Sequence, residues 1–233
     1  MEIVFENERF VAVNKPSGVL SIPDRNQSSP SQKDMLQQQF GEIFTVHRLD
    51  RDTSGLIIFA KDAATHKLLS EKFMTRDMQK FYLGLVNSSL HPEAGTVDAA
   101  IAEHPAKNGK MIVHQKGKPS VTEYETIEKF RSFSLVKYKI LTGRTHQIRV
   151  HTQYLGSSIV CDAVYGDGKS VYISDIKRNY KLSKNELEER PILNRLALHS
   201  SELKFTLDNN DYALEAPLPK DLRALLQQLR KNQ

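Results

Sequence analysis

The sequence predicts an α+β fold in which a mixed or mainly antiparallel sheet is flanked by a few helices. Short runs of alternating apolar and polar residues recur along the chain, as is typical of half-buried strands. Other segments carry apolar residues at helical spacing, most clearly Leu222, Leu225, Leu226 and Leu229 near the C-terminus. With 233 residues, 39% of them hydrophobic, the chain is long enough to bury one substantial core.

The first half of the chain predicts strands, a polar loop and two helices. Two strands surround a turn at Glu6 to Arg9, and residues 21–32 form a polar loop. A helix follows from about Gln32 to Phe40. Gly55 to Lys61 predicts a buried strand, because its apolar run ends in a charge. We expect Asp62 to cap the next helix, which carries Leu68, Leu69, Lys72 and Phe73.

The second half predicts further strands and then helices. Alternating patterns indicate strands at Lys80 to Val86, Ser120 to Ile127 and Phe133 to Leu141. We expect Thr145 to cap a helix that stops at Gly156, a residue suited to the position after a helix end. Such a number of strands favours an antiparallel or mixed sheet.

Composition favours a soluble, cytoplasmic protein. Cys161 is the only cysteine, so no internal disulfide is possible, which suits a reducing compartment. No apolar run approaches the roughly 18 residues of a membrane span, and the N-terminus lacks the pattern of a secretory signal. A formal net charge of +5 is compatible with a polyanionic partner but does not identify one.

Charged residues are densest in His47-Arg-Leu-Asp-Arg-Asp-Thr-Ser-Gly-Leu56, directly before the predicted buried strand. Catalytic groups are often held in this way, on a loop fixed by a rigid element. The alternative is a surface cluster of ion pairs. Composition alone does not choose between them.

The same segment, HRLDRDTSGL, resembles the signature of the RluA family of RNA pseudouridine synthases. Four more segments fit that family in the same order, and ordered motifs are much less prone to chance matches than single ones. These are NKPSGVL (Asn14 to Leu20), KFYLGLV (Lys80 to Val86), TGRTHQIRVH (Thr142 to His151) and RLALHSSELKF (Arg195 to Phe205).

The resemblance implies one pseudouridine synthase catalytic domain over residues 1–233, with a mainly antiparallel bipartite sheet around a central catalytic cleft. Because NKPSG begins at Asn14, we expect no N-terminal S4 RNA-binding domain. Ser158 and Cys161 stand where the family has Pro and Gly, which leaves the local loop geometry open. Residues 170–190 are interpreted as a basic surface insertion that extends an RNA-binding face; a merely solvated face is the alternative.

The implied reaction detaches uracil from ribose at nitrogen and rejoins it through carbon. It needs no redox change and no added group, so we expect no cofactor and no metal. The resemblance makes Asp50 the catalytic carboxylate, acting either as a nucleophile or as a base towards the ribose. The sequence leaves both roles open.

Similarity to the family also assigns Arg149 as the positive partner of Asp50, and Tyr82 as the ring that stacks on the target uracil. Without the resemblance, Arg149 would be a phosphate contact or surface pair and Tyr82 a core aromatic. Arg48 is expected to enter the space left by the flipped nucleotide. Its alternative is an ion pair with Asp52.

Five further residues are expected to bind RNA or shape its pocket: His47, Asn14, Lys15, Arg144 and His146. Of these, Arg144 is expected to bind a phosphate near the start of the helix that follows it. The histidines do not show metal-binding spacing with acidic or cysteine partners, which argues against a metal site.

The expected partner is structured RNA, either ribosomal or transfer RNA, and the expected state is a monomer without membrane attachment. Three rival functions are a non-catalytic RNA-binding module, a hydrolase using Asp50 and Asp52, and a structural basic domain. The first predicts that Asp50, Tyr82 or Arg149 is missing, and all three are present. The second lacks metal ligands and a nucleotide-binding glycine loop, and the third leaves five ordered motifs unexplained.

Overall fold

The computed structural model describes residues 1–27, 29–107, 109–178, 180–182 and 188–232. The helices in this part are α1 (Gln32–Phe40), α2 (Ala63–Thr75), α3 (Gln147–Tyr154) and α4 (Lys220–Lys231). The strands are β1 (Glu2–Glu6), β2 (Phe10–Lys15), β3 (Phe44–Thr45), β4 (Ser54–Ala60), β5 (Gln79–Asn87), β6 (Ala94–Asp98), β7 (Ile101–Glu103), β8 (Met111–Val113), β9 (Val121–Lys129), β10 (Phe133–Ile140), β11 (Ser158–Ile159), β12 (Leu198–Leu207) and β13 (Asn210–Glu215).

Eleven of these strands form one sheet, in the order β1-β2-β4-β12-β5-β10-β9-β6, with β3, β11 and β13 pairing at its sides. Among the described residues, the strand pairings in this sheet are antiparallel except that of β4 with β12, which joins His199 to Ser54 and Ser200 to Gly55. The remaining two strands, β7 and β8, form a separate hairpin. The sheet therefore has two halves joined at a short parallel seam, and the α+β class with a mainly antiparallel bipartite sheet is confirmed.

The apolar residues of strand β4 are continuous and do not alternate with polar ones, because both faces of this strand are buried. All seven of its residues are buried. Ile57 and Phe59 face the larger hydrophobic core, which also contains apolar residues of α1, α3 and α4. Leu56 and Ile58 face the second core, with Leu69 of α2. A strand that is covered on both sides needs apolar residues at every position.

The predicted elements agree with the structure to within a residue or two, with one error. Asp62 caps α2 by accepting a hydrogen bond from the Thr65 N–H. Thr145, however, does not cap α3: the helix begins one residue later than expected, with His146 at the cap in a left-handed conformation. Gly156 follows the end of this helix with a φ of +81°, as predicted.

The 170–190 segment is irregular where it is described, but its start is anchored. Val171 is buried in the larger core and bridges to Leu193, and Ile176 packs against the same core. Residues 179 and 183–187, on which part of the predicted basic insertion falls, lie outside the described residues. None of the helices in the described part of the chain is both long and apolar enough to cross a membrane.

Gly55 is required where the two halves of the sheet meet. Its φ is +112°, a conformation that favours glycine, and a Cβ atom there would lie 2.2 Å from the carbonyl oxygen of Ser200. Because that contact is with backbone of the neighbouring strand, a flexible side chain cannot relieve it. The glycine of the HRLDRDTSGL segment is therefore a condition for the close approach of β4 and β12.

We predict that Gly55→Ala lowers the free energy of unfolding by about 3 kcal/mol or more, since backbone strain and steric overlap add. Gly41→Ala is the matched control, because Gly41 also has a positive φ (+75°) but has open space around the missing Cβ. Its expected cost is about 1 kcal/mol, from the strain alone. Urea denaturation measures both, and equal stabilities would contradict the close-approach argument.

Candidate functional site

Six of the predicted site residues line one cleft of about 290 Å³ at the seam between the two halves of the sheet: Arg48, Asp50, Tyr82, Arg144, His146 and Arg149. They come from the loop before β4, from β5 and from the loop and helix after β10. Elements far apart in the sequence thus converge at the point where β4 and β12 meet. The carboxylate of Asp50 is partly accessible, with 24% of its side chain exposed.

The loop that carries Asp50 is fixed by the loop after β2. The hydroxyl of Ser21 donates to the Leu49 carbonyl oxygen (2.8 Å) and accepts from the Leu49 N–H (3.0 Å). The Gly18 N–H donates to the Arg51 carbonyl oxygen at 2.9 Å. The backbone on both sides of Asp50 is therefore held by residues that follow the NKP segment.

Lys15 completes this attachment from inside the protein. Its buried ammonium donates to the carbonyl oxygens of Pro16 (3.0 Å), Val19 (2.7 Å) and Arg51 (3.0 Å). Burial lowers the pKa of Lys15 to about 8, although Asp52 and Asp50 act in the opposite direction. All three donors of the ammonium are thus used within the protein, and Lys15 holds the backbone next to Asp50 without lining the cleft.

Arg149 has a stronger partner than Asp50. Its Nε and Nη2 donate to the two carboxylate oxygens of Asp162 at 2.7 and 2.8 Å, and both residues are buried. Nη1 faces Oδ2 of Asp50 at 4.0 Å. Burial opposes ionisation of both Arg149 and Asp162, but their mutual hydrogen bonds and charges prevail, so the pKa of Asp162 is lowered and that of Arg149 raised. The predicted pair of Arg149 with Asp50 is consequently the longer of its two contacts.

His146 faces the other side of Asp50. Its Nε2 lies 3.9 Å from Oδ2 of Asp50, and its Nδ1 is 2.9 Å from the hydroxyl of Tyr165. That hydroxyl also accepts from the Met111 N–H at 2.8 Å. Burial lowers the pKa of His146, with a further contribution from Arg149 that opposes the effect of Asp50. At neutral pH this imidazole is therefore mainly uncharged, and its contact with Asp50 is not a full ion pair.

Tyr82 forms part of the cleft wall and is 8% exposed. Strand pairing places it opposite Ser200 of β12 and Tyr138 of β10. Burial raises the pKa of Tyr82, and Asp50 raises it further. The hydroxyl therefore stays protonated at neutral pH.

The RLALHSSELKF segment stabilises the seam through Arg195 and His199. Arg195 binds both carboxylate oxygens of Asp221 at the start of α4, at 2.7 and 2.6 Å. His199 contacts the Ser54 hydroxyl (2.9 Å) and the Ala216 carbonyl oxygen (3.1 Å). This motif thus ties β4, β12 and the C-terminal helix together.

The other predicted residues lie outside the cleft wall. Asn14 donates to Glu2 and to the Pro217 carbonyl oxygen, at 2.8 and 3.0 Å. His47 accepts from the Ile58 N–H at 3.1 Å and stacks on Phe73, with ring centroids 4.5 Å apart. Burial and Lys80 lower the pKa of His47 to about 3, so this ring is neutral.

Arg48 is exposed at the rim of the cleft. The ion pair with Asp52 that was its alternative is not among the contacts of the described residues. Within that same part of the chain, no group of His, Cys, Asp or Glu side chains is arranged to hold a metal ion.

Sequence reasoning missed Asp162 and Tyr165, which hold Arg149 and His146. A signal was available, because Asp162 is a lone acid within the apolar run IVCDAVYG. It follows Cys161, whose φ of +60° accounts for the glycine expected there from the family. Although Cys161 replaces the glycine expected from the family, its backbone adopts a conformation that glycine favours.

Comparison with known proteins finds related sequences and structures. The family described as RNA pseudouridylate synthase matches residues 9–154. The ribosomal large subunit pseudouridine synthase C of Haemophilus influenzae is 34% identical over 237 residues, covering 99% of this chain and 69% of the relative. The dual-specificity RNA pseudouridine synthase RluA of Vibrio vulnificus is 35% identical, with 88% and 77% covered. The solved structure of human RNA pseudouridylate synthase domain containing 4 aligns with a TM-score of 0.75 at 25% identity, covering 98% of this chain and 93% of that one.

We predict that Asp162→Asn lowers the free energy of unfolding by about 3 kcal/mol, because it leaves the buried Arg149 guanidinium without its main counter-charge. Asp167→Asn serves as the control, since Asp167 is exposed and its ion-pair partner among the described residues is the exposed Lys169, at 3.7 Å. Its expected effect is within about 0.5 kcal/mol. Chemical denaturation at pH 7 compares the variants. An Asp162→Asn protein as stable as the control would show that the pair is dispensable for folding.

The buried His199 predicts a pH dependence of stability. Burial lowers its folded-state pKa to about 4 from an ordinary 6.5, so below pH 6.5 the unfolded chain binds a proton that the folded chain refuses. This contribution is complete above pH 6.5 and is lost as the pH falls towards 4, at about 1.4 kcal/mol per pH unit. Denaturation at several pH values should show a slope smaller by about one proton for His199→Gln than for the wild type. Equal slopes would contradict the assignment.

Proposed function

The chain belongs to the RNA pseudouridine synthase family, and from that premise we propose that it isomerises specific uridines of structured RNA with Asp50 as the catalytic carboxylate. One observation carries this assignment. Asp50 is the carboxylate that lines the seam cleft, with Arg149 at 4.0 Å, His146 at 3.9 Å and Tyr82 in the same wall. A ribose placed in the cleft has this carboxylate as its nearest acidic group.

Arg149 supports the reaction by keeping a fixed positive charge beside Asp50. Its orientation does not depend on Asp50, because two of its nitrogens are already bound to Asp162. The guanidinium therefore stays in place whether Asp50 attacks the sugar or removes a proton from it. Such prior fixation avoids reorganisation during the reaction. Asp50 can act as a nucleophile or as a base in this arrangement, and both are retained.

Tyr82 is assigned to the target uracil. Its ring lines the cleft, and its protonated hydroxyl can donate a hydrogen bond but is a poor base. An aromatic face at this point offers a stacking surface for the extruded base, which compensates for stacking lost in the RNA. Neutral His146 adds a polar group on the other side of Asp50.

Arg48 and Arg144 are assigned to the RNA itself. Arg48 is exposed at the rim and has a planar guanidinium, which can stack in the space vacated by the flipped nucleotide. Arg144 lies between the cleft and the β9–β10 side of the sheet, with its Nε bound to the Pro119 carbonyl oxygen at 3.1 Å. Its other guanidinium nitrogens are suited to a phosphate. Lys15, Asn14 and His47 serve indirectly, by fixing the loops that carry these groups.

Large-subunit ribosomal RNA is the substrate that the relatives favour, since the matched proteins from Haemophilus influenzae and Escherichia coli are named for it. Transfer RNA is the other candidate for a family that recognises RNA shape. A cytoplasmic monomer consisting of a single catalytic domain fits this role. The 170–190 segment would then extend the RNA-binding face.

We predict that Asp50→Asn abolishes pseudouridine formation while RNA affinity changes by less than about threefold, because the substitution keeps the shape and removes the reactive group. Asp52→Asn is the matched control: it alters an exposed carboxylate two residues away. Pseudouridine formation by the two variants is compared by mapping pseudouridine across total RNA from cells that lack the gene and are complemented with each variant. RNA affinity is compared by titrating an RNA transcript with each purified variant. Pseudouridine restored by Asp50→Asn would overturn the assignment, and sites lost in the deletion strain identify the RNA.

A further inference from the structure

A second cavity, of about 460 Å³, opens beside the cleft, and the proposed chemistry does not use it. Arg48, Tyr82 and Arg144 line both spaces. The remaining wall includes Arg76, just after α2, and Lys80 at the start of β5. The lining thus contains four Lys or Arg residues and no Asp or Glu. A concave surface with charge of one sign attracts a ligand of the opposite sign.

Lys80 is the unusual member of this wall. It is 7% exposed, yet its ammonium has no hydrogen bond or ion pair to any residue in the described part of the chain. The ring of Phe73 has its centroid 5.8 Å from the ammonium, and His47 and Arg76 are close enough to interact with it electrostatically. Burial lowers the pKa of Lys80, and Arg76 lowers it further.

Lys80 is mostly buried, so its ammonium has lost part of its hydration, and no counter-charge among the described residues replaces it; the charged form is therefore disfavoured in the folded protein. The charged form of Lys80 is disfavoured further because Arg76 repels it and the cavity wall contains no carboxylate to offset that repulsion. A cluster of cations without a counter-charge is expected where a bound ligand supplies the anion. The wall offers donors, which suit the oxygen atoms of a phosphate better than the mixed donors and acceptors of a base.

The position of Lys80 relates this cavity to the target nucleotide. Lys80 and Tyr82 are two residues apart in β5, so their side chains lie on the same face of the sheet, roughly 7 Å apart along the strand. Tyr82 is the residue assigned to the target uracil. The ammonium therefore lies near the nucleotide, in a cavity that Tyr82 lines and Asp50 does not.

We propose that this second cavity binds a backbone phosphate of the substrate RNA next to the flipped uridine, with Lys80 as the direct contact and Arg76 and Arg144 as flanking charges. The inference rests on the proposed function, since it takes the cleft to hold the target nucleotide. It adds an RNA contact that lies within the sheet, behind the exposed rim.

The test compares Lys80→Gln with Lys139→Gln, both in the Asp50→Asn background so that RNA binds without turnover. Lys139 pairs with Phe81 across the strands, which puts it on the other face of the sheet, and it binds Glu123 at 3.2 Å. The probe is a large-subunit ribosomal RNA transcript containing the uridine identified by mapping. Lys80→Gln should weaken binding about tenfold and reduce the salt dependence by about one phosphate contact. Lys139→Gln should leave both nearly unchanged.

Stability provides a second readout. Lys80→Gln removes a partly desolvated charge that Arg76 repels, so the free protein should be as stable as the wild type or more stable, although it binds RNA less well. A purely structural role for Lys80 predicts the opposite, a loss of stability. A destabilised Lys80→Gln protein would therefore overturn the proposal.

The outcomes separate this proposal from the one it rests on. If the wild-type enzyme forms no pseudouridine on RNA, the proposed function fails. If it forms pseudouridine but Lys80→Gln binds the transcript with wild-type affinity and salt dependence, the phosphate site is wrong. Titration with inorganic phosphate covers the remaining case: loss of phosphate binding in Lys80→Gln with unchanged RNA binding would assign the cavity to a free anion and contradict the RNA contact.

Discussion

The short parallel pairing of Ser54 and Gly55 with His199 and Ser200 is the contact on which the rest of the site depends. It joins the two halves of the sheet and sets the distance between the loop that carries Asp50 and the strand that carries Tyr82. A glycine permits the close approach, and the Arg195–Asp221 pair secures the strand from the C-terminal helix. The geometry of the proposed site therefore depends on the join between the two antiparallel halves of the sheet.

Two sets of buried polar contacts position Asp50, Arg149 and His146 and leave the parts of these side chains that face the cleft available for substrate. Lys15 and Ser21 fix the backbone on both sides of Asp50, which leaves its carboxylate free. Asp162 and Tyr165 do the same for Arg149 and His146. Each functional side chain is held by a residue that does not face the substrate. Precision at the site thus comes from supporting groups that are buried, where hydrogen bonds are strong and alternatives are few.

The sequence predicted most elements because their signals are local. The Asp62 cap, the apolar run of β4 and the leucines of α4 each identify a structure within a few residues. The site was predicted mainly through family resemblance, and its supporting pairs were missed because they join distant segments. Asp162 is 13 residues from Arg149, and Lys15 is 36 from Arg51. The left-handed His146 at the start of α3 was missed for another reason, since Thr145 is the better cap by residue type.

The neutral state of His146 and the pairing of Arg149 with Asp162 together determine how a nucleotide can enter. Two carboxylates share the Arg149 guanidinium, Asp50 in the cleft wall and buried Asp162 beneath it, so this end of the cleft carries a net negative charge. Arg48 and Arg144 at the rim are positive, as are Arg76 and Lys80 in the neighbouring cavity. A phosphate is repelled by the negative end of the cleft and attracted by the rim, while an uncharged uracil is not excluded from either. This polarity favours entry with the base first and the backbone outside. The protein can thereby orient its substrate before any contact specific to uracil is made.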